Sequence, residues 1–522
     1  MTTLVATAPE KSPPAAVADD AITDLARKRT WTDRQVAAVG IRSIDVPFVT
    51  VGGGMGSFAM ADYLRIAGVP PSDIRVLTIL DHPWQNYEYL ATASQIPRWE
   101  RLRSDSSSCP DNIWGFPSYA VREAIRAKSP SEFLAPLWNV FSEPILCDYF
   151  TPRSGDLFRA MRREADRILY WDSVVNGQVK MTHHREGGGY FSLVMPRQGP
   201  DRYLAYRSRY VHFAVGYPGL RYLDDLQEYR SATGDHHRVV NAYEAHEHVY
   251  DELRRRGGTV MVRGAGIVAS RVLDRLITDR DRSGTDLRII HLVRSYVGGP
   301  HGPSIFMRRP GGYGWAYQGF NWPKSTWGGV AKSHLSRLEG ERRAAYLRVM
   351  GGTTTAHRAR WQRQLRRGRA EGFYQVYAGE VDTVRPGPVG TIVTYVKSTG
   401  GRPPIELPAN FVIDATGLEA DITENPVLAD LLRHLGASRN LLGRLDVDRT
   451  FELRGCRSDP GRAYASGAAT LGGYLAGVDT FLGLQIAALE ICDDLARVGF
   501  CRHIGVVRST GQWIRWMRNQ AP

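Results

Sequence analysis

The sequence predicts an α/β protein built from two Rossmann-like units, the second inserted into the first. Two glycine-rich turns carry that reading: Val-Thr-Val-Gly-Gly-Gly-Met-Gly-Ser at 49–57 and Met-Val-Arg-Gly-Ala-Gly-Ile-Val-Ala-Ser at 261–270. A third observation sets the topology. The apolar run Phe-Val-Ile-Asp-Ala-Thr-Gly at 411–417 again ends a strand at a glycine, after the second turn, and marks the chain returning to the first unit. A strand feeding a glycine turn and then a helix aims backbone N–H groups and a helix N-terminus at a pyrophosphate.

The elements follow in order. Residues 1–40 are expected to be a disordered leader, because the first thirty are rich in Ala, Pro, Thr and Asp and lack a basic start followed by an apolar run. Residues 44–51 read as a buried strand, 57–67 have helical spacing, and 75–80 read as a second strand ending in Asp81. That βαβ unit has the length of a Rossmann crossover. The stretch 83–150 is aromatic and irregular, too long for a plain connection, and is expected to line a pocket. A helix near 157–165 and strands at 189–195 and 208–215 come next. The second unit comprises a strand at 259–262, the turn, a helix through Ile277 and a strand at 288–293. Beyond it lie a second irregular aromatic stretch at 296–330, a basic helical region at 331–371, and strands at 373–382 and 391–397. The chain closes with the strand at 411–417, another at 463–467, and an apolar helix over about 480–498. The expected division is 41–220 for the first domain, 221–400 for the second, 401–505 for the return, and 506–522 for a C-terminal tail.

Composition narrows the function. With 522 residues, 43% of them hydrophobic and 23% charged, the chain is globular with room for two or three domains. No apolar run approaches the ~20 residues that span a bilayer, so a cytoplasmic protein without a membrane partner is expected. The five cysteines (Cys109, Cys147, Cys456, Cys492, Cys501) form no C-x-x-C pair. That argues against a disulfide framework, a cysteine metal site and the dithiol of a disulfide reductase. The net charge of +13 is almost all arginine, with only seven lysines, and the clusters at 254–256, 308–309 and 366–367 lie far apart. Such dispersed charge does not point to nucleic acid as a partner.

Each turn has its own chemistry. In the first, the expected cofactor residues are Gly52, Gly54, Gly56 and Ser57. Gly52 permits the tight bend, Gly54 lets backbone approach a pyrophosphate, and Ser57 fills the third, close-packing position. Asp81 at the end of the next strand can accept hydrogen bonds from a ribose diol, which suits FAD. In the second turn Gly264, Gly266 and Ala269 fill the same roles. Arg294 and Ser295 stand where the first unit has its acid, and a cation with a hydroxyl suits the 2′-phosphate of NADPH better than NADH.

The segments at 213–217 and 414–417 look like the signatures at domain crossings in two-nucleotide flavoproteins; Asp-Ala-Thr-Gly matches and Ala-Val-Gly-Tyr departs. Thr416 and Gly417 are therefore expected to touch a cofactor. Ala-Ser-Gly at 465–467, with Gly467, resembles a late flavin-contacting loop, although Ala468 replaces the acid that usually follows. The helix that opens at Thr480 and Phe481 is placed to aim its N-terminus at the pyrimidine edge of a flavin, and its apolar content also makes it a core helix.

The first turn, His82-Pro83-Trp84, Ser94-Gln95, the run at 104–119 and Asp479-Thr480-Phe481-Leu482 together resemble class B flavin-dependent monooxygenases, nearest to the branch that N-hydroxylates amines such as ornithine and lysine. The resemblance covers most of 45–500 in element order. It departs at the Baeyer–Villiger fingerprint, which has no convincing copy, and at the amine hydroxylases' substrate motif, which Gly319-Phe320-Asn321-Trp322-Pro323 only echoes. The resemblance implies reduction of FAD by NADPH, addition of O2 at flavin C4a, and oxygen transfer to a nucleophilic atom of a small-molecule substrate in a water-excluding site. Under it, Gln95 and Asn321 are the catalytic candidates, holding NADP+ and substrate; each also reads as a plain loop hydrogen-bonder. His82 either orients a flavin or caps a turn, and Trp84 and Tyr87 either stack on a ring or pack. Two other readings stay open. One is an FAD-containing NAD(P)H reductase serving a protein partner. The other is a nucleotide-binding module with a basic interaction surface at 358–370. No metal is expected.

Overall fold

Strands buried on both faces place the first glycine turn at the centre of the larger sheet. Every residue of Phe48–Val51 is buried, the signature of an interior parallel strand. The computed structural model describes residues 19–102, 118–142, 146, 150–217, 219–302, 308–317, 322–350, 354–355, 358–397, 403–418 and 421–522. Among them, Arg462–Ala465, Tyr210–Phe213, Phe48–Val51, Ile74–Thr78 and Val174–Arg185 run parallel in that spatial order. Val174–Arg185 then continues as an antiparallel meander with Tyr190–Pro196 and Leu204–Ser208, and Arg42–Asp45 pairs parallel with the last of these. The helix Met55–Ile66 follows the turn and packs against Phe481–Arg497.

The second sheet is parallel throughout, in the order Tyr374–Ala378, Leu287–Val293, Gly258–Arg263, Phe411–Asp414 and Val239–Asn241. Helices Ile267–Ser283 and Ala359–Ala370 cover one face through Val272, Leu273, Trp361 and Leu365. An antiparallel sheet of Val381–Pro386, Ile392–Val396 and Ile405–Ala409 covers the other, where Val384, Ile392 and Leu407 meet Met261, Leu292 and Val412. All five parallel strands lie between Tyr210–Phe213 and Arg462–Ala465 in sequence, so this unit is an insertion in the first.

Three expectations need correction. Residues 19–40 are not a disordered leader: they form helices Asp19–Ala26 and Asp33–Ala38 and a strand, Thr30–Trp31, paired with Val174–Arg185. Trp31 is fully buried, donates to Leu25 O at 2.8 Å and stacks on His183, and with buried Ile22, Leu25 and Val36 it anchors a largely polar segment. The return to the first unit does not begin at 401. Val260 pairs with Phe411 and Arg263 with Asp414, which puts that strand in the second sheet and the crossing after Asp414. The aromatic stretch 83–150, where described, is largely helical, with Gln85–Ala93, Ser118–Ile125 and Pro130–Ser142. At the C-terminus the helix Val506–Met517 is docked: Arg508 Nε donates to Ile66 O at 2.7 Å, and Trp516 is buried.

Candidate functional site: two glycine turns at the crossings between units

The two turns are built alike. Gly52 has φ +125° and Gly264 φ +116°, backbone that side chains rarely adopt. A Cβ on Gly52 would stand 2.3 Å from Ala214 O, and one on Gly264 2.6 Å from Ala415 O. Each first glycine therefore lets its turn press against the residue where the neighbouring strand ends and the chain crosses between units. Matching backbone bonds hold each pair, Ala214 N to Val51 O at 2.9 Å and Ala415 N to Arg263 O at 2.8 Å.

Gly54 and Gly266 are also equivalent. Each is the N-cap of the following helix in extended backbone, neither helix has a side-chain cap, and a Cβ on either would meet nothing within 4 Å. The structure thus carries two uncapped helix N-termini opening onto free space, which fits a pyrophosphate at each. Close packing in the first turn falls to Gly56, whose Cβ would come 2.9 Å from that of Ala214. Ala269 is fully buried in its helix, as its packing role requires.

Ser57 does more than its expected packing role. Its Oγ accepts from Gly53 N at 3.0 Å and from Thr50 Oγ1 at 2.9 Å. Thr50 Oγ1 lies 3.0 Å from His212 Nδ1, and His212 Nε2 lies 2.8 Å from Ser466 Oγ. All four side chains are buried, so a polar chain runs from the first turn across three strands to the loop at Gly467. Burial pushes the His212 pKa down to about 3. The ring is therefore neutral, with one donor and one acceptor for the two hydroxyls. The second turn has its counterpart in His291, where Nε2 donates to Gly264 O at 2.7 Å and Nδ1 accepts from Tyr374 Oη at 2.9 Å. Burial lowers its pKa to about 4. Sequence reasoning missed both histidines; a lone polar residue inside an apolar strand was the available signal.

The crossing is tied to one carboxylate. Asp414, fully buried, accepts from Leu223 N at 3.0 Å with Oδ2, and from Thr416 N at 3.0 Å and Thr416 Oγ1 at 2.6 Å with Oδ1. Residue 223 follows the outward crossing and 416 begins the return, so Asp414 fastens both. Desolvation raises its pKa, and these hydrogen bonds oppose the rise. Thr416 is thus occupied by Asp414, while a Cβ on Gly417 would meet nothing within 4 Å.

The remaining expected residues divide. Arg294 and Ser295 are exposed just past Leu287–Val293, beside the second turn. Asp81 is not at a strand end: the strand stops at Thr78, and Asp81 is exposed with Oδ1 accepting from Arg197 at 3.1 Å. Thr78 takes the terminal position, its Oγ1 donating to Gly52 O at 3.3 Å. His82 lies beside Trp84, ring centroids 4.6 Å apart; its Nδ1 is buried without a hydrogen-bond partner, and burial lowers its pKa. Trp84 and Tyr87 pack in the core, against Trp171 and against Phe158 and Phe481 respectively. Thr480 caps its own helix, accepting from Gly483 N at 3.0 Å. Gln95 has φ +64° and is engaged at both ends of its amide, accepting from Arg275 at 3.1 Å and donating to Ala93 O at 3.0 Å. Arg275 belongs to the helix after the second turn, so Gln95 bridges the two units. Asn321 lies outside the described residues.

No protein-family model matches the chain, and no curated protein sequence matches it. Solved structures do. The chain is similar to the ornithine N-hydroxylase of Kutzneria sp. 744 at 14% identity, covering 87% of this chain and 100% of that one with a TM-score of 0.59. The ornithine hydroxylase of Pseudomonas aeruginosa matches at 15% identity over 87% and 99%, TM-score 0.57. The cadaverine monooxygenase of desferrioxamine biosynthesis from Erwinia amylovora matches at 13% over 87% and 94%, TM-score 0.59. At such identity the likeness is one of fold, and the fold of this chain is that of the two-dinucleotide-domain flavoprotein monooxygenases.

Proposed function

We propose that the protein is an FAD-dependent, NADPH-using monooxygenase that N-hydroxylates a small amine. The carrying observation is the pair of like-built turns, each with an open helix N-terminus at a glycine and each pressed against a residue where the chain crosses between units. The fold shared with amine hydroxylases supports the choice of reaction. The net reaction is R–NH2 + O2 + NADPH + H+ → R–NHOH + H2O + NADP+. Bound FAD supplies the oxygen chemistry, taking two electrons from NADPH and delivering one oxygen atom to the amine nitrogen.

The chain supplies binding and placement. Gly54 and the start of Met55–Ile66 hold the FAD pyrophosphate, and Gly266 and the start of Ile267–Ser283 hold that of NADPH. Arg294 and Ser295 receive the 2′-phosphate. Gln95 and Asp414 act as positioning residues, the first through Arg275 and the second through the crossing. The serine and histidine chain holds the first turn through neutral hydrogen bonds, so it places no charge beside that turn.

The test is rapid mixing of the yellow protein, reduced with NADPH, with oxygenated buffer. A transient spectrum distinct from both oxidised and reduced flavin, followed by hydroxylamine formation from a panel of diamines and basic amino acids, is expected. Direct return to oxidised flavin with every amine, combined with rapid reduction of an acidic electron-carrier protein, would replace the proposal with a reductase.

A further inference from the structure

The strand Val174–Arg185 runs on beyond the cofactor edge of the sheet, and near its far end a buried histidine faces a second histidine and an aspartate. Asn176 pairs with Thr78 at the level of the first turn. His183 lies seven residues further on, about 23 Å along an extended strand. His183 is fully buried, and its Nε2 has no hydrogen-bond partner. That nitrogen looks at Asp430 Oδ1 from 3.6 Å. His434 Nδ1 lies 2.8 Å from the same oxygen, and one ligand atom from each of the three residues falls within 4.8 Å of the others.

We propose that His183, Asp430 and His434 form a binding site for a divalent transition-metal ion of the zinc class. Three features carry this. The first is the outer hydrogen bonding. His183 Nδ1 donates to Lys28 O at 2.6 Å, so in the neutral ring Nε2 is the nitrogen open to a metal, and it faces a carboxylate oxygen. A cation held between this nitrogen and the carboxylate satisfies both in a buried site. A backbone carbonyl on the far ring nitrogen is also the usual support of a metal-bound histidine. Asp430 is braced in the same way, Oδ2 accepting from Thr182 N at 3.1 Å.

The second feature is spacing. The 3.6 Å and 2.8 Å donor separations bracket the roughly 3.3 Å between ligands of a tetrahedral ion with bonds of about 2.0–2.1 Å. The third is the backbone. Asp430 and His434 stand four residues apart where Pro426–Asp430 passes into a single π-helical turn, Leu431–Leu435, a device common at functional sites. Two imidazoles and one carboxylate suit zinc, cobalt or nickel rather than calcium or magnesium, which prefer all-oxygen shells. His434, with a quarter of its side chain exposed, leaves the fourth position to water. Bound there, the ion ties the N-terminal segment, held through Lys28 O and through Trp31 stacked on His183, to the sheet and to the π turn. The site's distance from the first turn makes flavin content an independent control.

The experiment is zinc loading of the flavin-containing protein, dialysis against zinc-free buffer, and metal analysis. One zinc per chain is expected, with at least tenfold weaker retention in His434→Ala and Asp430→Asn and an unchanged flavin spectrum. Zinc-edge X-ray absorption on the wild type reads the shell directly and does not depend on either variant folding: nitrogen and oxygen at about 2.0–2.1 Å with no sulfur are expected. Failure to retain zinc, full retention in both variants, or a sulfur shell at about 2.3 Å would each overturn the proposal. The first of these outcomes would leave a hydrogen-bonded His–Asp–His cluster.

Discussion

At single residues, the glycines of each turn are separable by experiment because they are glycine for different reasons. Gly54 has ordinary extended backbone and open space at its Cβ, whereas Gly52 combines φ +125° with a carbonyl 2.3 Å away. Gly54→Val is therefore expected to fold, with a melting temperature close to wild type, and to purify colourless, because the side chain fills the pyrophosphate cradle. A yellow, fully loaded Gly54→Val would remove FAD from that turn. Gly52→Val is expected to lose soluble protein altogether. Gly266→Val should keep its flavin and lose reduction by NADPH, which absorbance at the flavin band reads in one titration. Arg294, exposed beside the second turn, makes a finer prediction: Arg294→Ala should raise the KM for NADPH at least tenfold and that for NADH less than twofold. Equal effects on both would dismiss it as the reader of the 2′-phosphate.

Among elements, the segment 19–40 and the crossing show what a sequence exposes and what it hides. Both glycine turns were legible because their chemistry is local: strand, turn and helix follow one another without a break, over 48–66 and 258–283. Membership of Phe411–Asp414 in the second sheet was not legible, since an apolar four-residue run satisfies either sheet and only pairing with Gly258–Arg263 decides. The N-terminal segment was misread for a related reason. Its composition is polar, and its few anchors, Trp31 with Ile22, Leu25 and Val36, acquire meaning only from strands far along the chain, Val174–Arg185 and Tyr190–Pro196. The placement of Asp81 at a strand end missed by three residues, because the strand stops at Thr78. Trp31→Ala should cost about 3–5 kcal/mol, the range for emptying a buried aromatic site, and lower the urea midpoint. An unchanged midpoint would restore the disordered leader. At the crossing, Asp414→Ala strips acceptors from Leu223 N and Thr416 N together. Flavin reduction by NADPH should slow at least tenfold in it while FAD stays bound, and Asp414→Asn should recover part of the rate.

Across the whole molecule, His212 and His291 make stability depend on pH in a stated direction. His212 and His291 titrate near 3 and near 4 in the folded chain, against about 6.5 when unfolded. Above pH 6.5 neither state binds the proton, so neither group changes stability. Below it the unfolded chain takes up a proton at each site and the folded chain does not, so stability falls as pH drops towards the folded values. At pH 5 the loss is about 2 kcal/mol per histidine, about 4 kcal/mol together. The lowered carboxyls of Asp33 and Asp421, paired with arginines, act in the same sense but only at more acid pH, below their ordinary 3.8. Repulsion from the +13 net charge also grows in acid, but surface repulsion is screened by salt and buried titration is not. The urea midpoint in 0.5 M salt is therefore expected to hold from pH 8 to 7 and fall steadily from 6.5 to 5, and the fall should be shallower in His212→Gln. Because His212 stays neutral in the folded chain until pH approaches its own value near 3, flavin should stay with the folded protein over that range and leave only with unfolding. A midpoint that stays flat to pH 5 would mean that the histidine chain opens to solvent and does not hold the turns.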